Sequence, residues 1–132
     1  MVSYLRNAAN GFLVAGTGLN GSALDRFALG MRYLQVDANG SIYIADTNNH
    51  RVVRWASGGS IGVVVAGNGT NGTSLNQLDY PYGIWVDSSF NVFVAEYNNH
   101  RITRWAPGAS PGVVVAGISG VAGKSKDTTT TL

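Results

Sequence analysis

The sequence predicts an all-β chain assembled from repeated four-stranded antiparallel meanders. Three observations carry this. Residues 37–67 and 87–117 align without a gap at a spacing of 50, with 17 of 31 positions identical. Five of the other fourteen exchange within a class: Ile42/Val92, Tyr43/Phe93, Ile44/Val94, Asp46/Glu96 and Val52/Ile102. Eighteen Gly against three Pro, with 10% aromatic residues, suit many short strands joined by tight turns. No stretch of about ten residues carries a 3.6-residue apolar stripe unbroken by Gly or Asn, so helices are not expected.

In chain order, residues 1–10 are a lead, and 11–16 (Gly-Phe-Leu-Val-Ala-Gly) match 62–67, which makes them an orphan copy of a unit's last strand. Residues 17–67 form the first full unit. Its apolar runs are Tyr33–Asp37, Ser41–Asp46, Arg51–Trp55 and Gly62–Ala66. Residues 68–117 form the second, with runs Gly83–Asp87, Asn91–Glu96, Arg101–Trp105 and Gly112–Ala116. Val, Ile, Tyr, Phe and Trp fill these runs, as strands prefer. Between them lie Asn39-Gly40, Ser88-Ser89, Asn48-Asn49, Asn98-Asn99, Ser57-Gly58-Gly59 and Pro107-Gly108, all turn formers. Residues 118–132 are a flexible tail or the start of a truncated repeat. They resemble the linkers Thr17–Leu24 and Asn68–Leu75 before running into a polar, low-complexity end.

Four strands per unit at a period of about 40–50 residues point to β-propeller blades, with a β-sandwich as the second choice. Val63–Ala66 and Val113–Ala116 are apolar at consecutive positions, which predicts burial on both faces between stacked blades. One irregularity is visible. Pro81 and Gly83 of the second unit face Met31 and Tyr33 in the first, after a one-residue gap, so the first blade should begin irregularly.

The strings Asp46-Thr-Asn-Asn-His50-Arg-Val-Val-Arg-Trp55 and Glu96-Tyr-Asn-Asn-His100-Arg-Ile-Thr-Arg-Trp105 resemble NHL repeats. So do Pro81-Tyr-Gly83-Ile-Trp-Val-Asp87 before them and Gly112-Val-Val-Val-Ala-Gly117 after them, with Arg51 and Arg101 in the Leu place of the signature. The resemblance covers about residues 11–117. It implies about two blades of a six-bladed NHL propeller, and hence a fragment of a longer chain or a ring closed by self-association.

The repeated polar residues read as structural. His50 and His100 are the only histidines and are expected to hydrogen-bond the turn between strands two and three. As a metal pair they lack Cys or carboxylate partners at ligand spacing, and no Ca²⁺ loop is present. Asp37, Asp87, Asp46 and Glu96 repeat in pairs, which favours turn and backbone bonding over general acid–base work. Arg51 and Arg101 are expected to form interblade ion pairs with Asp46 or Glu96. They could also form a blade-to-blade row, and so are kept as binding candidates. Asn49, His50, Trp55, Asn99, His100 and Trp105 are repeat positions that serve the blade. Trp85 does not repeat, since Gln35 occupies its place, and with Tyr33, Tyr80 and Tyr82 it makes the best candidate for an exposed aromatic binding patch. The Asn-Gly sequons at Asn20, Asn39, Asn68 and Asn71 are by-products of turn chemistry.

Composition narrows function further. Charged residues make up 12% and the formal net charge is +2, too little for a clustered basic nucleic-acid surface. Cys is absent, so there is no disulfide frame, thiolate metal site or Cys nucleophile. No apolar run reaches the roughly 18 residues of a membrane span, and no signal peptide is recognised, which leaves the cytoplasm as the default compartment. No cofactor is expected. The expected function is non-catalytic: a scaffold that binds protein. RNA binding, as in tripartite-motif NHL proteins, is the alternative. An enzyme similar to the amidoglycolate lyases ranks last, because the resemblance would require several His around a metal.

Overall fold

The computed structural model describes residues 2–3 and 12–118. Most of the lead 1–10 and of the tail 118–132 lies outside the described residues. Two four-stranded antiparallel sheets follow one another in the chain. Blade 1 is β3 (Tyr33–Val36), β4 (Ile42–Asp46), β5 (Arg51–Trp55) and β6 (Val63–Ala66), paired in that order. Blade 2 is β7 (Pro81–Val86), β8 (Val92–Glu96), β9 (Arg101–Trp105) and β10 (Val113–Gly117), paired in the same way. Ahead of them, β1 (Val2–Ser3) and β2 (Phe12–Leu13) form a two-stranded antiparallel ladder. The only helical element among the described residues is one 3-10 turn, Thr47–Asn49. No described helix is long and apolar enough to cross a membrane.

Each connection follows from its residues. At the β3–β4 turn Asp37 Oδ1 accepts the amides of Asn39 and Ser41, at 2.9 and 3.0 Å, and Gly40 supplies the left-handed residue at φ +81°. At the β7–β8 turn Asp87 does the same for Ser89 and Asn91, but Phe90 holds the left-handed position at φ +64°. That conformation costs a non-glycine residue about 1–2 kcal/mol. Phe90→Gly relieves that strain but gives up the buried part of the ring and loosens the unfolded chain, so thermal unfolding should show no stabilisation, with a net loss of about 1 kcal/mol.

The β4–β5 and β8–β9 turns each close on a histidine in the left-handed region, His50 at φ +50° and His100 at φ +53°. Before the outer strands, Gly112 lies against the Trp105 indole, where a Cβ would come within 2.6 Å. The irregular start expected of the first blade falls in the second instead. The four residues of β3 pair with β4 in unbroken register, whereas the six-residue β7 shifts register between Pro81 and Gly83, where proline has no N–H to give the ladder.

The two faces of each blade carry different loads. Tyr43, Ala45, Val52 and Ala66 on the leading face of blade 1 pack against Ile84, Val86, Val92, Val94 and Trp105 on the trailing face of blade 2, with Leu78 between them. This is the larger core. A smaller one lies behind blade 1, where Ile44, Val53 and Trp55 are covered by Phe27 and Ala15. Ala15 precedes Ala66 by one repeat, and it lies against blade 1 as Ala66 lies against blade 2.

The expectation that both Val runs are buried on two faces fails. Val63 and Val113 are half exposed, and Val64 is open as well. The register shifts at Val65 and between Val114 and Ala116 bulge the outermost strand at the rim, so one residue of each run turns inward while its neighbours meet solvent.

Candidate interaction surface

The motif residues hold each blade to the linker that precedes it. Asp46 and Arg51 are register partners across β4 and β5, and Arg51 Nε donates to Asp46 Oδ2 at 2.8 Å with both side chains buried. The remaining guanidinium donors go to the carbonyls of Ser22, Ala23 and Arg26 at 2.8–3.2 Å. Asn49 Nδ2 bridges Asp46 Oδ2 and the Gly21 carbonyl, both at 2.9 Å. The other Asp46 oxygen accepts the Ala28 amide at 2.9 Å.

Blade 2 repeats the device. Arg101 donates to Glu96 at 2.9 Å and to the carbonyls of Thr73, Ser74 and Gln77, while Asn99 reaches Glu96 and Gly72. Thr103 stands where blade 1 has Val53, and its hydroxyl donates to the Glu96 carboxylate and in turn accepts the Trp105 indole N–H. These ion pairs lie within a blade and not between blades, because the carboxylate ending one strand is the register partner of the Arg opening the next. Buried in that way, Arg51 and Arg101 present no blade-to-blade row.

A second set of bonds joins the blades. His50 Nδ1 accepts the Tyr80 amide at 3.1 Å, with Asp79 Oδ1 3.8 Å away. The histidine side chain thus reaches the start of the next blade and not, as the sequence suggests, its own turn, because Tyr80 brings an amide within 3.1 Å of its Nδ1. Thr47 Oγ1 donates to the Pro81 carbonyl at 2.8 Å. The Gln35 amide clamps one residue of β7, donating to the Val86 carbonyl at 3.0 Å and accepting its N–H at 2.8 Å.

Those joints mark what differs on the leading face of blade 2. Phe93, Ala95, Ile102 and Ala116 repeat Tyr43, Ala45, Val52 and Ala66, yet Trp85 replaces Gln35, Tyr97 replaces Thr47 and Gly83 replaces Tyr33. Among the described residues nothing covers this face: Trp85 is 62% exposed and Tyr97 67%. Gly83, Trp85, Phe93, Ala95 and Ile102 line an apolar hollow of about 630 Å³, which Tyr33 joins from blade 1.

Toward the blade's start, Tyr80, Tyr82 and Tyr97 cluster at ring distances of 6.0 and 6.3 Å. Arg32 lies over Tyr82 at 5.9 Å and donates to the Tyr80 hydroxyl at 3.3 Å. A further hollow of about 400 Å³, shared by Tyr82, Ala95, Tyr97 and Ile102, makes the two regions continuous. The four aromatic candidates, Tyr33, Tyr80, Tyr82 and Trp85, therefore fall on one surface. Tyr97, Phe93 and Arg32 belong to it and were missed. The signal for Tyr97 was present, since like Trp85 it breaks the repeat.

Elsewhere, a hollow of about 580 Å³ opens between the blades at Asp37, Tyr43, Arg54 and Trp105. Burial there, and next Asp37, push the Tyr43 phenol up from its ordinary pKa. The Asp87 carboxyl is held below the usual range, first by the Asn91 side-chain amide and then by the backbone amides of its turn. Because the folded value is depressed, the turn's stabilisation is present above the unfolded pKa and is lost as pH falls through the folded one. A carbon-detected titration should place the Asp87 midpoint below about 3.9. A midpoint at or above it would contradict the turn geometry. Among the described residues no three of His, Asp and Glu gather as a metal site would require.

Residues 34–55, from β3 through β5, match the family model of the NHL repeat. That span contains Asp46, Asn49 and Arg51, which bind the linker, and His50, which binds the start of the next blade. No curated protein matches the chain. The chain is a propeller-like repeat segment, and the stretch that matches the NHL repeat model lies in its first blade.

Proposed function

We propose that this segment is a non-catalytic scaffold that binds protein through the leading face of blade 2. The observation that carries the reading is the division of labour among side chains. The repeated polar groups Asp46, Asn49, Arg51 and their copies are engaged inside the blades. The non-repeating residues Trp85, Tyr82 and Tyr97 stand in solvent. Aromatic side chains around an apolar hollow are what protein interfaces use as anchors.

Tyr rings with Arg32 over one of them also resemble a base-stacking platform, which favours RNA as the second reading. Against it, Arg51 and Arg101 are consumed in buried pairs, and phosphate contacts need clustered free cations.

The test is a displayed-peptide selection on the purified chain, in parallel with titration of single-stranded RNA at physiological salt. Apolar or aromatic peptides whose binding is lost in Trp85→Ala are expected. RNA binding that Tyr82→Ala and Tyr97→Ala abolish, without Trp85-dependent peptides, would overturn the scaffold reading.

A further inference from the structure

We infer that the leading face of blade 2 pairs with a second copy of the same face across a two-fold axis, each Trp85 seating over the partner's Gly83. The inference rests on the scaffold reading and names its partner. A following blade is the other natural occupant, because blade 1 uses the equivalent face to hold blade 2. That fit depends on polar joints that blade 2 has lost. Trp85 cannot clamp a strand's N–H and C=O as Gln35 does, and Tyr97 stands where the Thr47 hydroxyl meets Pro81. On the far side of the chain, Ala15 and Phe27 already cover the outer half of blade 1's trailing face, where the blade 2 of a head-to-tail neighbour would dock.

The leading face is complementary to itself instead. Trp85 projects from β7, and Gly83, two residues earlier on the same face, leaves a gap. A Cβ built at Gly83 would meet nothing closer than Ala95 at 4.0 Å. Knob and hole are thus roughly 7 Å apart along one strand. A two-fold axis lying between the two facing sheets, level with Ile84 and perpendicular to the strands, runs the two β7 strands antiparallel and pairs 83 with 85 and 85 with 83, the mutual arrangement an isologous contact requires. The same operation sets Asp87, the one charged residue lining the hollow, opposite Pro81 and not opposite its own copy. Tyr33, Tyr82, Trp85 and Tyr97 are each half exposed or more, and together they bring roughly half of the 800 Å² per partner that stable interfaces bury. Phe93, Ala95 and Ile102 form the apolar floor beneath them.

The test is light-scattering mass and sedimentation of the 132-residue chain over a concentration series. A species near twice 13.8 kDa is expected. Trp85→Ala removes the knob, and Gly83→Phe fills the hole while keeping the Trp. Either should raise the dimer dissociation constant at least about 30-fold, as loss of an interface anchor does, with the circular dichroism of the monomer unchanged. Trp85 is exposed and Gly83 has room for a side chain, so both variants should fold. A dimer indifferent to both substitutions, or a trimer of head-to-tail copies, would overturn the inference. A monomer at every concentration would overturn it too, and if that monomer still selected Trp85-dependent peptides the scaffold reading would stand.

Discussion

Arg101→Met is expected to lower the unfolding free energy by about 3–5 kcal/mol, the usual result of stranding one member of a buried ion pair. Glu96 would keep its bonds from Asn99 and Thr103 but lose its counter-charge in a fully buried place. The carbonyls of Thr73, Ser74 and Gln77 would lose their donors in the same step. Against a typical stability of about 5–15 kcal/mol, this is a large share. Adding Glu96→Gln should return part of the loss, because a neutral amide costs less to bury than an unpaired carboxylate. Urea unfolding of the single and double variants checks both statements. Equal stability of the two would mean that the lost linker carbonyl bonds, and not the buried charge, dominate.

Trp105→Ala should cost about 3–5 kcal/mol, and Trp55→Ala about 1–2 kcal/mol less, although the two tryptophans hold the same repeat position. Trp105 lies in the core that both blades build, and its indole N–H continues through Thr103 to Glu96. Trp55 packs on Phe27 at 5.7 Å in the smaller cluster and donates only to the Gly59 carbonyl. The difference measures what a neighbouring blade adds beyond a covering loop. Equal losses in denaturant unfolding would mean that blade 2 gains little from blade 1.

These unequal costs show where the sequence was legible. The eight blade strands and their order followed from the spacing of 50, because repeated turn residues such as Asp37 and Asp87 fix hairpins locally. The reading of Asn49 and Asn99 as residues that serve the blade came from repetition, whereas Arg51 and Arg101, kept as binding candidates, are buried in pairs within their own blades. The targets of the motif did not come from repetition. His50 reaches an amide 30 residues ahead, and Arg51 pairs within its own blade and reaches carbonyls 25–29 residues behind. No local pattern encodes such distances. The Val runs misled because consecutive apolar residues look alike whether the strand is central or bulged at a rim. On the binding surface Trp85 was found by its failure to repeat, and the same comparison applied to Thr47 and Tyr97 would have found Tyr97.

The central claim is that the repeat motif joins the two blades into one cooperative unit, with His50 and Gln35 as the joints. Native-state hydrogen exchange tests it most directly at the amides of Tyr80 and Val86, which are bonded across the junction and not within a hairpin turn. Both should exchange on the slow scale of the Val94 core amide, and His50→Ala should speed Tyr80 while leaving Val94 slow. Fast exchange at Tyr80 and Val86 in the unmodified chain, beside a slow Val94, would mean that the blades open independently and would contradict the account.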